Sequence, residues 1–127
     1  MIAVDTSALM AIVLDEDRAD VCSAALQLDP IRLISAATFA EALIVAEGKN
    51  VSPAMAELLN HVSFEVIAVS AATAGRVLQI YRTWGKGRHP ARLNFGDCFA
   101  YDTAKTHDCP LLFVGDDFRR TDIVSAL

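Results

Sequence analysis

The sequence predicts an α/β fold in which a parallel sheet is covered on both faces by helices. Three observations point there. The strand-like segments are short and continuously apolar rather than alternating, as strands buried on both faces are. The first three are each followed by a polar helix-capping residue and a stretch with helical spacing. The two patterns then alternate along the chain, which implies parallel strands joined by helices. With 127 residues, one domain spanning 1–127 is expected. A composition of 54% hydrophobic and 21% charged residues excludes a disordered chain.

Met1 to Val4 is the first apolar run, cut off by Asp5, and Thr6 or Ser7 is expected to cap a helix carrying Leu9, Ile12 and Val13. The acidic cluster Asp15-Glu16-Asp17 suits a break and the start of a second helix, whose first turn favours negative charge. After Pro30, Ile31 to Ile34 reads as a second strand; Ser35 caps a long apolar helix to Glu47, closed by Gly48. Ser52-Pro53 opens the next helix with proline in its first turn. Phe64 to Val69 is the third strand, and Ser70 caps a helix to about Trp84. Gly85 to Pro90 is a loop, and Asn94 caps a helix from about Phe95 to Thr106. Pro110 to Val114 is the fourth strand, ended by Gly115-Asp116-Asp117, and Ile123-Val124 is a weak fifth.

The longest stretch without a charge, Val66 to Gly75, is half the roughly 20 residues that a membrane-spanning helix requires. Asp5 interrupts any signal-peptide pattern. Cys22, Cys98 and Cys109 are odd in number and lack metal-ligand spacing, so neither disulfides nor a zinc site is expected. A cytoplasmic domain with no membrane association fits these features. The net charge of −5 conceals an asymmetry: Val66 to Gly96 contains Arg76, Arg82, Lys86, Arg88 and Arg92 and no acid. A basic segment beside an acidic remainder suits a nuclease with a carboxylate metal site, although a solvated helix face explains it as well.

Sheets of this class place their sites beyond the carboxyl ends of the strands, which draws attention to Asp5, Asp116 and Asp117. Asp97 opens the helix before the fourth strand, three residues after Asn94. Glu41 is the single charge between Leu33 and Ala46. Each acid has an ordinary explanation, as a cap, a turn residue or a helix edge. As a group, carboxylates without a dedicated cation repel unless protonated or metal-bound. Oxygen donors without Cys or His nearby select magnesium or manganese, and such ions serve in-line phosphodiester hydrolysis. Of the remaining candidates, His107 reads as a helix-end residue and His89 as a loop residue open to phosphate contact. Tyr81 and Trp84 could stack on unpaired bases, core packing being the simpler fate of aromatics ending an amphipathic helix.

Val4-Asp5-Thr6-Ser7-Ala8-Leu9, then Glu41, then the stretch from Arg88 to Tyr101 with its Asn94-Phe95-Gly96-Asp97-Cys98 block, then Gly115-Asp116-Asp117-Phe118 and Thr121-Asp122, resemble the PIN-domain ribonucleases, and more closely the VapC toxins of toxin–antitoxin pairs. The resemblance implies a sheet of order 3-2-1-4-5 and a magnesium-dependent endoribonuclease with Mn2+ as a possible substitute. Its acidic quartet maps to Asp5, Glu41, Asp97 and Asp116, with Thr6, Ser7 and Asp117 in support. It also implies an RNA substrate, a homodimer and a silencing VapB-type antitoxin. Arg82, Lys86, Arg88 and Arg92 are the expected track for the RNA backbone. Two departures stand out: Val114, where many relatives have a basic residue, and Asp102, an additional acid about 140° around the helix from Asp97. A receiver domain or a haloacid-dehalogenase-like phosphatase fits less well. The former lacks its acidic pair and lysine, and the latter has Ser7 where an aspartate is required. The alternative from another class is a non-enzymatic RNA- or antitoxin-binding module with a relict metal site.

Overall fold

The computed structural model describes residues 1–127. The strands are β1 (Ile2–Val4), β2 (Arg32–Ser35), β3 (Glu65–Ile67) and β4 (Leu111–Leu112). The helices are α1 (Thr6–Val13), α2 (Ala19–Leu28), α3 (Ala36–Gly48), α4 (Ser52–Val62), α5 (Ala71–Trp84) and α6 (Phe95–Thr106). The sheet is parallel in the order β3-β2-β1-β4, with Ala3 opposite Leu33 on one side and Leu111 on the other. Successive β1 side chains point to opposite faces. Ile2 and Val4, with Ile34 and Leu112, enter a core beneath α1 to α4 that includes Leu9, Leu26, Ala42 and Met55. Ala3, with Leu111 and Phe113, enters a second core beneath α5 and α6 that includes Val77, Ile80, Phe99 and Ala104. This is the three-layer α/β/α arrangement expected from continuously apolar strands.

The boundaries differ from the sequence reading where side-chain geometry or sheet position decides them. Asp5, not Thr6 or Ser7, caps α1, because its carboxylate reaches back to the Ser7 N–H. The acidic cluster precedes α2, whose first turn holds only Asp20; Asp15 takes a left-handed conformation at φ 52 and turns the chain between the two helices. β3 is shorter than expected and its Val66 is 49% exposed, since this strand lies at the sheet edge rather than between neighbours. β4 is reduced to two residues, and the fifth strand is a single parallel bridge between Leu111 and Ser125. That bridge lies on the far side of β4, so the expected lateral order survives in outline. The caps at Ser35, Ser70 and Asn94 form as expected, the last two as reciprocal capping boxes with Thr73 and Asp97. All three cysteines are free. The His107 ring lies 2.9 Å from the Thr103 carbonyl at the end of α6, consistent with its helix-end reading.

Because β1 leads leftward to β2 while β4 lies to its right, the order reverses between β1 and β4. A crevice opens at such a switch point, beyond the strands' carboxyl ends. Asp5 stands on its floor, its N–H bound to the Leu112 carbonyl at 3.0 Å.

Candidate active site

Asp5 is only 4% exposed. Its Oδ2 accepts hydrogen bonds from the Ser7 N–H at 3.0 Å and the Ser7 hydroxyl at 2.6 Å. The same hydroxyl oxygen accepts the Val114 N–H at 3.0 Å, so Ser7 ties the end of β1 to the end of β4. Asp5 Oδ1 is buried without any partner. Burial pushes the carboxyl up from 3.8 to about 6; the two Ser7 bonds oppose this and the charge of Glu41 adds to it.

Glu41 arrives from α3, held by the Thr6 hydroxyl, which donates to its Oε1 at 2.5 Å. Its carboxylate rests directly on Gly96 in the first turn of α6, where any Cβ would run into it. Gly96 is thus a functional candidate that sequence reading did not single out, beyond its place in the quoted block. Its importance comes from a contact between α3 and α6, which has no local signature. Thr38 is a similar case: its hydroxyl is buried without a partner, one turn before Glu41.

Asp97 is half-buried, and its Oδ2 accepts the Asn94 N–H at 3.0 Å while Asn94 Oδ1 accepts the Asp97 N–H at 2.9 Å. This box fixes the side chain and commits one of its two oxygens. Burial is the main cause that raises its pKa from 3.8 to about 7. The Asn94 N–H pulls it back, and the charges of Asp5, Asp117 and Glu41 push it further up. The charge of Asp117, from the Asp116–Asp117 pair, is thus felt at Asp97. Both follow the turn at Gly115, whose φ of 107 suits glycine, and both are exposed.

None of the chain's ion pairs involves these acids; the pairs are the N-terminus with Asp29, Arg76 with Asp102 and Lys105 with Asp122. As the side chains stand, no three are gathered closely enough to hold an ion. The donor set is nevertheless oxygen only, and Asp5 Oδ1 is an orphan anionic acceptor facing like charges, which suits a hard cation.

The basic segment divides in two. Arg76 is committed: its Nε and an Nη donate to the two oxygens of buried Asp102 at 2.7 and 3.0 Å. The expected absence of a counter-acid in this stretch is thus corrected for Arg76, whose partner comes from α6. Asp102, the additional acid, faces away from the carboxylate cleft toward α5. Arg82, Lys86, Arg88 and Arg92 are exposed and unpaired. Lys86, Arg88 and Arg92, with His89, line an open concavity of about 490 Å³ in the loop leading to α6. Trp84 is packed, donating to the Tyr101 hydroxyl at 3.0 Å with its ring against His89. The Tyr81 hydroxyl donates to the Lys86 carbonyl.

The sequence profile of the PIN domain matches residues 2–124. A protein from Mycobacterium bovis named VapC ribonuclease Mb0640 is 45% identical over 125 residues, covering 96% of this chain and 95% of its own. A protein from Mycolicibacterium smegmatis named Ribonuclease VapC is 44% identical over 125 residues, covering 96% of this chain and 97% of its own. Among solved structures, Mycobacterium tuberculosis VapC20, described as a Sarcin-Ricin loop cleaving toxin, superposes with a TM-score of 0.78. It does so at 18% identity over 98% of this chain and 97% of that one, a likeness of fold. A toxin–antitoxin complex from Klebsiella pneumoniae gives a TM-score of 0.73 at 20% identity over 100% and 98%. No helix is long and apolar enough to cross a membrane. A fold, a full-length match and relatives of one kind agree: the chain belongs to the PIN-domain family, among its VapC-type members.

Proposed function

We propose that this protein is a metal-dependent endoribonuclease, the toxin of a toxin–antitoxin pair, cleaving RNA at the carboxylate crevice. The observation that carries this reading is the buried, partnerless Asp5 Oδ1 beside the like charges of Glu41 and Asp97, with no cation of the chain's own to balance them. A fold does not retain desolvated like charges for stability, so their use lies in what they bind. Asp5, Glu41, Asp97 and Asp116 would hold Mg2+ or Mn2+, with Asp117 in support. When bound, such an ion neutralises phosphoryl charge and lowers the pKa of a water for in-line attack.

The chain's own residues prepare for this. Ser7 orients Asp5 and locks it to β4, Thr6 orients Glu41, and Asn94 orients Asp97, each by the hydrogen bonds described. With carboxyl pKa values of about 6 and 7, Asp5 and Asp97 are partly protonated near neutrality. Ion binding would therefore release protons. Arg82, Lys86, Arg88 and Arg92 offset the acidic cleft along the RNA backbone's approach. The relatives' names and the Klebsiella neighbour's description support a VapB-type antitoxin as partner. A homodimer belongs to the same proposal.

The test is cleavage of single-stranded RNA by the purified chain. Cleavage is expected with millimolar magnesium or manganese and none with excess EDTA, restored by adding the metal back. Binding of RNA without cleavage under all these conditions would favour the non-enzymatic module instead.

A further inference from the structure

Phe95 is 75% exposed, far more than any other aromatic residue in the chain. It is the first residue of α6, directly before Gly96, on which the Glu41 carboxylate rests, and two residues before Asp97. Its ring stands edge-to-face on Phe99, with centroids 5.0 Å apart and planes at 77°. Phe99 is buried in the core beneath α5 and α6, so the exposed ring has a rigid base. Of its neighbours in sequence, Leu93 and Cys98 are buried, while the exposed Arg92 and Asn94, the half-buried Asp97 and the basic concavity upstream are polar or charged. The only large apolar side chains exposed on the helix that meets α6 at Gly96 are Leu43 and Ile44 of α3, two residues against the roughly 20 that a stable protein interface takes from each partner.

We infer that Phe95 is the platform on which an unpaired base of the RNA, adjacent to the phosphate at the carboxylates, stacks. The inference rests on the proposed nuclease reading for the location of that phosphate. Phe95 and Asp97 stand two residues apart in the first turn of α6. Their side chains leave the helix about 200° apart, so a strand that reaches both passes over the start of α6. Exposed aromatics beside a cationic track are how single strands are held without dependence on sequence. The two aromatics the sequence offered for this task are otherwise engaged: Trp84 with Tyr101 and His89, Tyr81 with the Lys86 carbonyl. Phe95 thus positions the strand while the loop cations hold its backbone.

The experiment measures binding of the full chain, in EDTA so that no cleavage intervenes, to a short single-stranded oligoribonucleotide carrying 2-aminopurine. Anisotropy gives affinity, and quenching of the 2-aminopurine fluorescence reports stacking. Phe95→Ala is expected to weaken binding about 5- to 100-fold, the worth of one stacked base, and to abolish the quench. The salt dependence should stay unchanged, since no phosphate contact is lost. Phe95→Leu, apolar but without a π-face, should behave like Phe95→Ala, while Phe95→Trp should restore both signals. Unchanged affinity and quench in Phe95→Ala and Phe95→Leu would overturn the inference. So would intact RNA binding together with a changed sedimentation state, which would assign the ring to self-association. Failure of the nuclease reading has a different signature: the quench depends on Phe95, yet no RNA is cleaved when magnesium is supplied.

Discussion

Asp5 and Asp102 are almost equally buried, at 4% and 6% exposure, and the fold treats them in opposite ways. Asp102 receives both oxygens' worth of a guanidinium from Arg76 and a further bond from the Thr106 hydroxyl. Asp5 receives neutral donors on one oxygen and nothing on the other, and its nearest charges are acids. Helix α6 sets the contrast in a single element, since Asp97 faces the crevice and Asp102 faces α5. A buried charge that is paired can be explained by the structure that surrounds it. One left unpaired beside its own kind needs a partner from outside. On the proposed reading, the difference separates an acid that serves the fold from acids that serve a site.

The largest expected effect comes from exchanging the two kinds of acid for their amides. Asp97→Asn and Asp5→Asn should lower cleavage by on the order of a thousandfold or more, since each removes charge that a divalent ion requires. Without added metal both variants should melt at or above the wild-type temperature, because the charge removed was opposed by burial. Asp102→Asn should do the reverse, melting a few degrees lower with Arg76 no longer matched while cleavage survives. Thermal melts run beside RNA cleavage decide it. A loss of stability in Asp5→Asn equal to that in Asp102→Asn would erase the distinction.

Gly96→Ala sharpens the same comparison without touching an acid. The added methyl would meet the Glu41 carboxylate, which sits at the end of a movable side chain and can swing aside. Displacement of about 1 Å at a reacting group costs on the order of a hundredfold in rate. Gly96 has an ordinary helical φ, so alanine there adds no backbone strain. Cleavage should therefore fall about a hundredfold while the melting temperature holds. A variant that cleaves as fast as wild type would show that the position of Glu41 is unimportant.

The layering could be read from the sequence, because buried parallel strands leave unbroken apolar runs, and Asp5 and the Asp116–Asp117 pair could be seen to follow two of them. Ser35, Ser70 and Asn94 were legible as caps for the same local reason. What could not be read depends on contacts between distant segments. The cap of α1 turned on whether Ser7 bonded to Asp5 or stood free, and Thr6 was drawn instead to Glu41. Arg76 looked like one of five unpaired cations until α5 packed on α6 and brought Asp102 to it. Trp84 packs, the simpler of the two fates read for it, and Phe95, for which the sequence suggested no role, stands exposed, because burial of an aromatic is decided by the neighbouring helix, not by its own segment. Glu41 stood out as a lone charge, but the glycine that makes room for it did not.

The smallest expected effect is on stability alone, and it tests whether the unpaired acids are strained without a cation. The folded-state pKa values of Asp5 and Asp97, about 6 and about 7, lie above the ordinary 3.8. A carboxyl raised on folding binds its proton more tightly in the folded chain, so its contribution to stability is complete below about pH 4. The contribution is lost as pH rises through 6 and then 7. Without divalent ions, the melting temperature should therefore decline between about pH 4 and pH 7. The slope is at most about 1.4 kcal/mol per pH unit for each proton released on unfolding, and less for Asp97, which solvent partly screens. Asp29 and Asp122 are lowered rather than raised, by the N-terminus and by Tyr101 with Lys105. Their contributions weaken only as pH falls below the usual carboxylate range, outside this window. Magnesium or manganese should raise the melting temperature more at pH 8 than at pH 5, because an ion binds the ionised pair and must displace protons from the other form. Zinc should show no particular advantage over either with an oxygen-only donor set. Asp5→Asn and Asp97→Asn should each flatten the decline, whereas Asp102→Asn should leave it in place. A metal-free melting temperature that is level across this range, and indifferent to millimolar magnesium or manganese, would mean that Asp5 is as well satisfied as Asp102.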